Sequence, residues 1–443
     1  MVKISKRLAR ISVRDLLVVG LPALAVLAAG FWFAAQFIKP APPDELVITT
    51  GSDGGAYQHY AARYKPILER FGIRLVETPS AGSIENLDRL ADPARQVDVG
   101  FVQGGTGAGR GHSGLVSLGS LYFEPLWVFY RGEPGLNRLD QLAGRRIAIG
   151  APGSGTATLA REILDSHGLG DKVSLLPYSG LQAAEALERG EADAVFVVGA
   201  PFTGPVWLLL HTPGLALMDF SQAQAYARRY PHLSEVRLPR GVINFERDIP
   251  PNDVRLVSPV ATLVARDGTH PALLDLLLQA MREVHSAAGI FENAGEFPAA
   301  GRVDFPMSPR AERFYASGPP FMQRYLPFWV ANFIDRVFVM LLPLIALLIP
   351  LVKITPPLYT WRVRSRIYRW YGELKYIEYE VETNPQSRSR EEWEADLERI
   401  ERAVNRTHIP LAFADQLYNL RAHIAVVRLS VARRLDAALA RAS

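Results

Sequence analysis

The longest departure from ordinary mixing of polar and apolar positions lies near the start of the chain, where Leu16 to Ile38 contains no charged residue. As a helix rising ~1.5 Å per residue this stretch reaches about 34 Å, enough to cross a bilayer's hydrocarbon core. It reads as a transmembrane anchor behind a basic leader of Lys3, Lys6, Arg7, Arg10 and Arg14. A cleaved secretory signal is the competing reading, because Ala28-Ala29-Gly30 loosely resembles a cleavage site. The apolar core of a signal, however, runs to only roughly 7–15 residues. A second apolar run, Val337 to Val352, contains Pro343 and Pro350 and is extended at its start by Phe328, Trp329, Phe333 and Ile334. Such aromatics are enriched at membrane interfaces. The competing reading there is a buried helix of the preceding domain. Lys353, Arg362, Arg364, Arg366 and Arg369 follow this run. Cations just before one run and just past the other place both termini on the cytoplasmic side, with residues 39–333 outside.

After the linker Lys39-Pro40-Ala41-Pro42-Pro43, short β-rich runs alternate with amphipathic ones. Strands are expected at Leu46–Thr50, Arg74–Glu77, Val97–Val102, Leu126–Tyr130, Arg146–Ile149, Val173–Pro177, Ala194–Val198, Leu215–Asp219 and Val260–Ala265. Helices are expected at Tyr57–Phe71, Ser83–Leu90, Thr156–His167 and Leu181–Arg189. This alternation predicts an α/β domain of parallel sheets covered by helices. The pattern restarts around Leu139, which predicts two such sheets. Two long extended runs, Leu121–Arg131 and Arg255–Arg266, are what a two-lobed hinge protein needs to leave its first lobe and return. Ordinary core strands are the alternative. On the hinge reading lobe one takes residues of about 44–130 and 255–320, and lobe two about 131–254.

Past a membrane helix at 334–353 the period changes. Val363, Ile367, Trp370, Leu374, Ile377 and Val381 follow a heptad seam, and Asn384-Pro385 breaks it. Ser389 and Glu392 form a capping box ahead of Trp393, Leu397, Ile400 and Val404. Leu417, Leu420, Ile424, Val427 and Val431 continue the pattern. Residues 354–443 are therefore expected to form a cytoplasmic helical hairpin or small coiled-coil bundle, with self-association or docking as its default role.

The net charge of +4 changes meaning once it is divided along the chain. Residues 1–38 carry 5 basic against 1 acidic side chain, residues 39–333 carry 27 against 31, and residues 334–443 carry 17 against 13. The basic excess lies where membrane topology needs it, which leaves no footprint for nucleic acid. There is no cysteine, so the exported domain relies on its core rather than on disulfides, and thiolate chemistry is excluded.

Two glycine-rich turns stand at strand-to-helix junctions. The first is Thr49-Thr50-Gly51-Ser52-Asp53-Gly54-Gly55-Ala56-Tyr57 and the second Gly150-Ala151-Pro152-Gly153-Ser154-Gly155-Thr156-Ala157. Glycines admit a ligand close to the backbone, and the free N–H groups of the following helix favour an anion. Ser52, Ser154 and Thr156 are expected to add hydroxyl donors. Replacing Ser154 or Thr156 by alanine should then weaken binding and leave the unliganded melting point nearly unchanged. Either turn alone is more often just a tight connection, but one per lobe predicts a cleft lined by both. Ser83 and Asn86, in Thr78–Asn86, and Gln103 and Gly104, after the strand ending at Val102, are assigned to its rim. Asn86 and Gln103 are equally able to cap local backbone.

Enzyme readings fail on the letters. Pro152 and Thr156 replace the outer glycines of a nucleophile elbow around Ser154. Gly109-Arg110-Gly111-His112-Ser113-Gly114 matches a dinucleotide fingerprint without a following amphipathic helix. No Gly-Lys dipeptide exists for a Walker motif, and the nine histidines show no pair at metal-ligand spacing. No catalytic residue, metal or cofactor is expected.

At these same residues the chain resembles the TAXI family of TRAP-transporter solute receptors. TTGSDGGAYQHYAARYKPIL is similar to that family's opening motif, AGSIENLDRL to its Gly-Ser-x-x-Asn-Leu element, VDVGFVQ to its following strand and GAPGSGTATLAREILDSHGL to its second-lobe signature. The resemblance covers roughly residues 45–300. It implies a type II periplasmic-binding-protein fold and a small anionic solute, a carboxylate or amino acid, captured by hinge closure. Gly51, Ser52, Tyr57, Gln103, Ser154, Gly155 and Thr156 would be contacts. It further implies separate TRAP-type membrane subunits and placement on the bacterial inner membrane with the binding domain in the periplasm. Gly104-Gly105-Thr106 departs from the polar or acidic residue that the family tends to carry after that strand. Nothing in the family pattern explains residues 334–443. A signalling receptor that passes lobe closure to its cytoplasmic coil is the alternative function.

Overall fold

The computed structural model describes residues 13–36, 42–107, 109, 113–319, 322, 325–385, 387–407 and 409–442. The leader before Val13, most of the proline linker and residues 110–112 of the Gly109–Gly114 segment lie outside the described residues. The chain divides into a unit of Ala41–Asn332 and a second of Met1–Pro40 with Phe333–Ser443.

In the first unit, β1 (Glu45–Thr49), β2 (Arg74–Thr78), β3 (Val99–Gln103), β4 (Leu115–Phe123) and β12 (Val260–Arg266) form one sheet in the order β2-β1-β3-β12-β4. The other sheet contains β5 (Leu126–Arg131), β6 (Arg146–Ala148), β7 (Ser174–Leu176), β8 (Ala194–Val198), β10 (Ser234–Leu238) and β11 (Val254–Ser258), ordered β10-β11-β5-β8-β6-β7. A short β9 (Leu215–Leu217) pairs with β5. Parallel pairing is confined to β2-β1-β3 and to β7-β6-β8. Both sheets are mixed, which corrects the expectation of purely parallel ones. A strand that crosses directly from one sheet to the next has no helix in which to reverse, so it enters antiparallel to its neighbours.

Those crossings are short. The run Leu121–Arg131 breaks at Glu124-Pro125 and the run Arg255–Arg266 breaks at Pro259, where proline cannot donate to a ladder. The Glu124 N–H donates to the Pro259 carbonyl at 3.0 Å, tying the crossings together. β5 and β11 both belong to the second sheet, so the chain changes lobes near residues 124 and 259 rather than near 130 and 255.

Helices cover each sheet because their apolar positions recur on one face. In α2 (Ala56–Glu69), Tyr57, Tyr60, Ala61, Tyr64, Ile67 and Leu68 are buried. α3 (Ser83–Ala91) and the largely buried α8 (Pro271–His285) pack in the same lobe. α4 (Gly155–Ser166), α5 (Gly180–Glu188), α6 (Gly204–His211) and α7 (Ala223–Arg229) belong to the second lobe, and α9 (Pro309–Ser317) returns to the first.

In the second unit, α1 (Val13–Ala35) includes Leu17–Ala35, and α10 (Phe328–Thr383) includes a stretch from Pro343; each is long and apolar enough to cross a membrane. No boundary falls at residue 353: α10 is one 56-residue helix in which Pro343, Pro350, Pro356 and Pro357 cause no break. Its last turns join α11 (Arg390–Arg406) and α12 (Ala414–Ala442) in a three-helix bundle whose core includes Ile367, Leu374, Ile377, Val381, Trp393, Leu397, Ile400, Val404, Leu420 and Ile424. Ser389 and Glu392 cap α11 reciprocally.

Candidate ligand-binding cleft

Parallel strand ends feed helices by short turns, and this brings helix N-termini together at the carboxyl edges of both sheets. The residues that precede α2, α3, α4, α5 and α6, namely Gly55, Gly82, Ser154, Ser179 and Thr203, all line one cavity of about 250 Å³. Two of these helices come from the first lobe and three from the second. Each contributes backbone N–H groups without an intrahelical acceptor and the positive end of its dipole.

Ten of the residues expected from sequence meet on this wall: Gly51, Ser52, Gly54, Gly55, Tyr57, Ser83, Gln103, Ser154, Gly155 and Thr156. Two do not. The Asn86 side chain is wholly buried, accepting from the Thr49 and Ser80 hydroxyls at 2.6 Å each and donating to the Phe101 carbonyl at 2.8 Å. It braces β1 against β3 instead of facing a ligand. Gly104 gives its N–H to the Val260 carbonyl at 2.8 Å, continuing the β3–β12 ladder.

The polar groups on the wall differ in what they can offer. The Ser154 hydroxyl donates to the Ala151 carbonyl at 2.7 Å and accepts from the Ala157 N–H at 3.1 Å, so its role is that of a helix cap. Thr156 Oγ1 accepts from the Val198 N–H at 3.2 Å, which leaves its own hydrogen available to donate. The Gly54 N–H is taken by Gln58 Oε1 at 2.7 Å. Gln103 reaches across from the first lobe, its Nε2 donating to the Gly155 carbonyl at 3.2 Å. The Phe202 ring, between β8 and α6, sits 4.7 Å from His59 and 5.8 Å from Tyr60 of α2. These contacts bridge the two lobes across the cleft, and two glycines lie beside them. A Cβ on Gly155 would lie 2.3 Å from Gln103 Oε1. At Gly82, with φ of +133°, it would meet Ser154 Cα at 3.4 Å.

The largest omission from the sequence expectation is Glu124. Its carboxyl is only 3% exposed yet lines the cavity, accepting from the Tyr57 hydroxyl at 3.0 Å and the Tyr122 hydroxyl at 3.3 Å. Burial pushes it up to about 7, against the smaller opposing pull of the two phenols. Burial, aided by the Glu124 charge, likewise raises Tyr57 and Tyr122 well above the ordinary phenol range. The clue in the sequence was a lone carboxylate inside the apolar run LYFEPLWVFY, since an acid among core residues needs hydrogen-bond partners there. Ser179, Phe196 and Thr203 were also missed, and they stand where a turn or strand end carries no glycine-rich signature. Among the described lining residues, Asp53 and Glu124 carry the carboxylates, and there is no lysine, arginine or histidine.

A sequence profile described as the NMT1-like family matches residues 48–316. Among solved structures, a protein of Bordetella bronchiseptica RB50 is 18% identical over 62% of this chain and 83% of that one, with a TM-score of 0.38. The periplasmic aliphatic sulphonate binding protein SsuA from Escherichia coli is 16% identical over 55% of this chain and 73% of its own, with a TM-score of 0.35. A mutant of ArgBP from T. maritima is 13% identical over 54% and 89% of the two chains, also with a TM-score of 0.35.

Proposed function

Because this chain belongs to the NMT1-like family, which is of the periplasmic-binding-protein type, we propose that it is a membrane-anchored receptor that captures a small carboxylate or amino acid between its lobes. The observation that carries this reading is the convergence of five helix N-termini, from both lobes, on one cavity with no basic side chain among its described lining residues. Main-chain amides and helix dipoles would hold the ligand's carboxylate, and Thr156 would donate to it. A volume of about 250 Å³ is below the roughly 300–1,000 Å³ of pockets for drug-sized ligands, which suits a short dicarboxylate, a keto acid or an amino acid. The protein acts by binding rather than by catalysis.

In the finer form of the reading, it is a TAXI-type receptor delivering solute to separate TRAP-type membrane subunits. α1 and the apolar part of α10 span the inner membrane, both termini are cytoplasmic and the two-lobed domain is periplasmic. The unbroken course of α10 from Phe328 to Thr383 supports a second reading, in which lobe closure is passed to the helical bundle as a signal. Solute uptake that depends on the receptor separates the first from the second.

Thermal-shift measurements on the full-length protein in detergent, with succinate, pyruvate, L-glutamate and L-glutamine, test the reading, because a ligand stabilises by RT ln(1 + [L]/Kd). At least one of these compounds raises the melting temperature. Gly155→Ala, whose Cβ intrudes on Gln103 where the two lobes meet, weakens binding by about tenfold or more, or ~1.4 kcal/mol. No shift with any of the four compounds, or a Gly155→Ala protein that binds normally, contradicts capture by lobe closure.

A further inference from the structure

Glu124 sits where the chain passes from β4 to β5, at the floor of the cavity, and the groups packed around it offer no positive charge. Tyr57 and Tyr60 face it from α2 and Tyr122 from β4, while Ser83 of α3 meets the Tyr57 hydroxyl at 3.1 Å. Beyond Tyr122 lies His285 of α8, stacked on that ring at 5.6 Å, and burial pushes it down to about 3, so it is neutral. Glu292, which follows α8 in sequence, accepts from the Phe123 N–H at 3.1 Å and is itself held above the usual carboxylate range by burial. Arg63 of α2 acts on Tyr60 and His285 but is not among the influences on Glu124.

A carboxylate guest therefore enters a cleft whose buried floor already holds the Glu124 carboxyl, with the exposed Asp53 carboxylate also on its lining and no side-chain cation among the described lining residues. Two such groups sharing a site of low dielectric do not both ionise, and one retains a proton. Each Glu124 oxygen accepts from a single phenol, so either has a remaining lone pair to carry that proton. A free carboxylate in solution has ordinary acidity and its charge is favoured by the helix N-termini, so the proton belongs on Glu124.

We propose that Glu124 is the charge-selecting residue of the cleft: an amine-free carboxylate is bound together with one proton, which Glu124 takes up. This rests on the carboxylate-receptor reading above and adds to it a proton stoichiometry and a preference. Guests bearing a carboxylate and no ammonium group are accepted as anion and proton together, and binding weakens as the free receptor loses that proton.

Titration calorimetry on the full-length protein in detergent, with succinate and pyruvate at pH 8 in phosphate and in Tris, reads the coupling directly. The difference in observed heat between the buffers corresponds to uptake of close to one proton per ligand. From pH 7.5 to 9 the Kd rises about tenfold per pH unit, the slope of a single linked proton. Glu124→Gln, which keeps the shape of the side chain and cannot ionise, binds with a Kd independent of pH and without a buffer-dependent heat. The proposal is overturned if wild-type protein binds either anion without proton uptake, or if Glu124→Gln keeps the pH slope. It is also overturned if L-glutamine binds while neither anion does, because Glu124 would then be the counter-ion of an ammonium group; the receptor reading survives that outcome. If none of the three compounds binds at any pH, the receptor reading fails and this proposal fails with it.

Discussion

Two buried groups in contact with the same tyrosine, Tyr122, titrate in opposite senses. Folding raises Glu124 from 4.5 to about 7 by burial. Its neutral form contributes stability that is complete below 4.5 and lost as pH rises through 7, about 3 kcal/mol in all at ~1.4 kcal/mol per unit. Folding lowers His285 from 6.5 to about 3, by burial and then by the Arg63 charge. Its neutral form contributes stability present above 6.5 and lost as pH falls toward 3. Between pH 4.5 and 6.5 the two slopes oppose each other. The two-lobed unit of the wild-type protein is accordingly expected to melt at nearly constant temperature across that window. In Glu124→Gln the opposition is gone, and the melting temperature climbs with pH up to about 6.5. Circular-dichroism melts at pH 4.5, 5.5 and 6.5 check this, and a flat profile in the variant contradicts it.

At the scale of elements, the α4 junction separates holding a helix from holding a ligand. Sequence reasoning gave Ser154 and Thr156 the same role, because both are short hydroxyls at a glycine-rich helix start. Ser154 spends both its donor and its acceptor capacity on Ala151 and Ala157, whereas Thr156 keeps its donor. Ser154→Ala is thus expected to destabilise the unliganded domain by about 1 kcal/mol, the usual worth of an N-cap. Thr156→Ala should mainly reduce the ligand-induced shift. Denaturant unfolding of each variant, with and without ligand, checks the division. Equal unliganded stabilities for Ser154→Ala and wild type would remove the capping role. The helical positions of α2, α3 and α4 were legible because their apolar spacing is local. β4 was not, since LVSLGSLYF is buried along almost its whole length and so shows no polar and apolar alternation.

For the molecule as a whole, topology is the proposal most open to direct measurement, because the chain contains no cysteine to remove. Single cysteines at Glu246, exposed in the two-lobed unit, and at Ser387, exposed between α10 and α11, report the two sides. In intact spheroplasts a membrane-impermeant maleimide is expected to label Glu246→Cys, and to label Ser387→Cys only after permeabilisation. Labelling of both in intact spheroplasts overturns the placement of the bundle in the cytoplasm. The unit holding the bundle depends on its own core, with Trp393 fully buried, and on ion pairs that join its three helices. Arg399–Glu373, Arg428–Glu401 and Arg434–Glu382 each connect a different pair.

The sequence by itself determined the features that neighbouring residues decide: two apolar runs, the heptad bundle with its Ser389–Glu392 cap, and the turns around Gly55 and Gly155 where helix N-termini begin. Periodicity, capping and glycine's freedom of φ all act within a few residues. Tertiary structure alone decided which polar groups face the ligand. Asn86 turned inward to Thr49 and Phe101, Gly104 joined a ladder with Val260, and Glu124 met Tyr57 across 67 positions of chain. Burial and hydrogen-bond partners set those outcomes, and both depend on strands from distant parts of the chain closing around the same space.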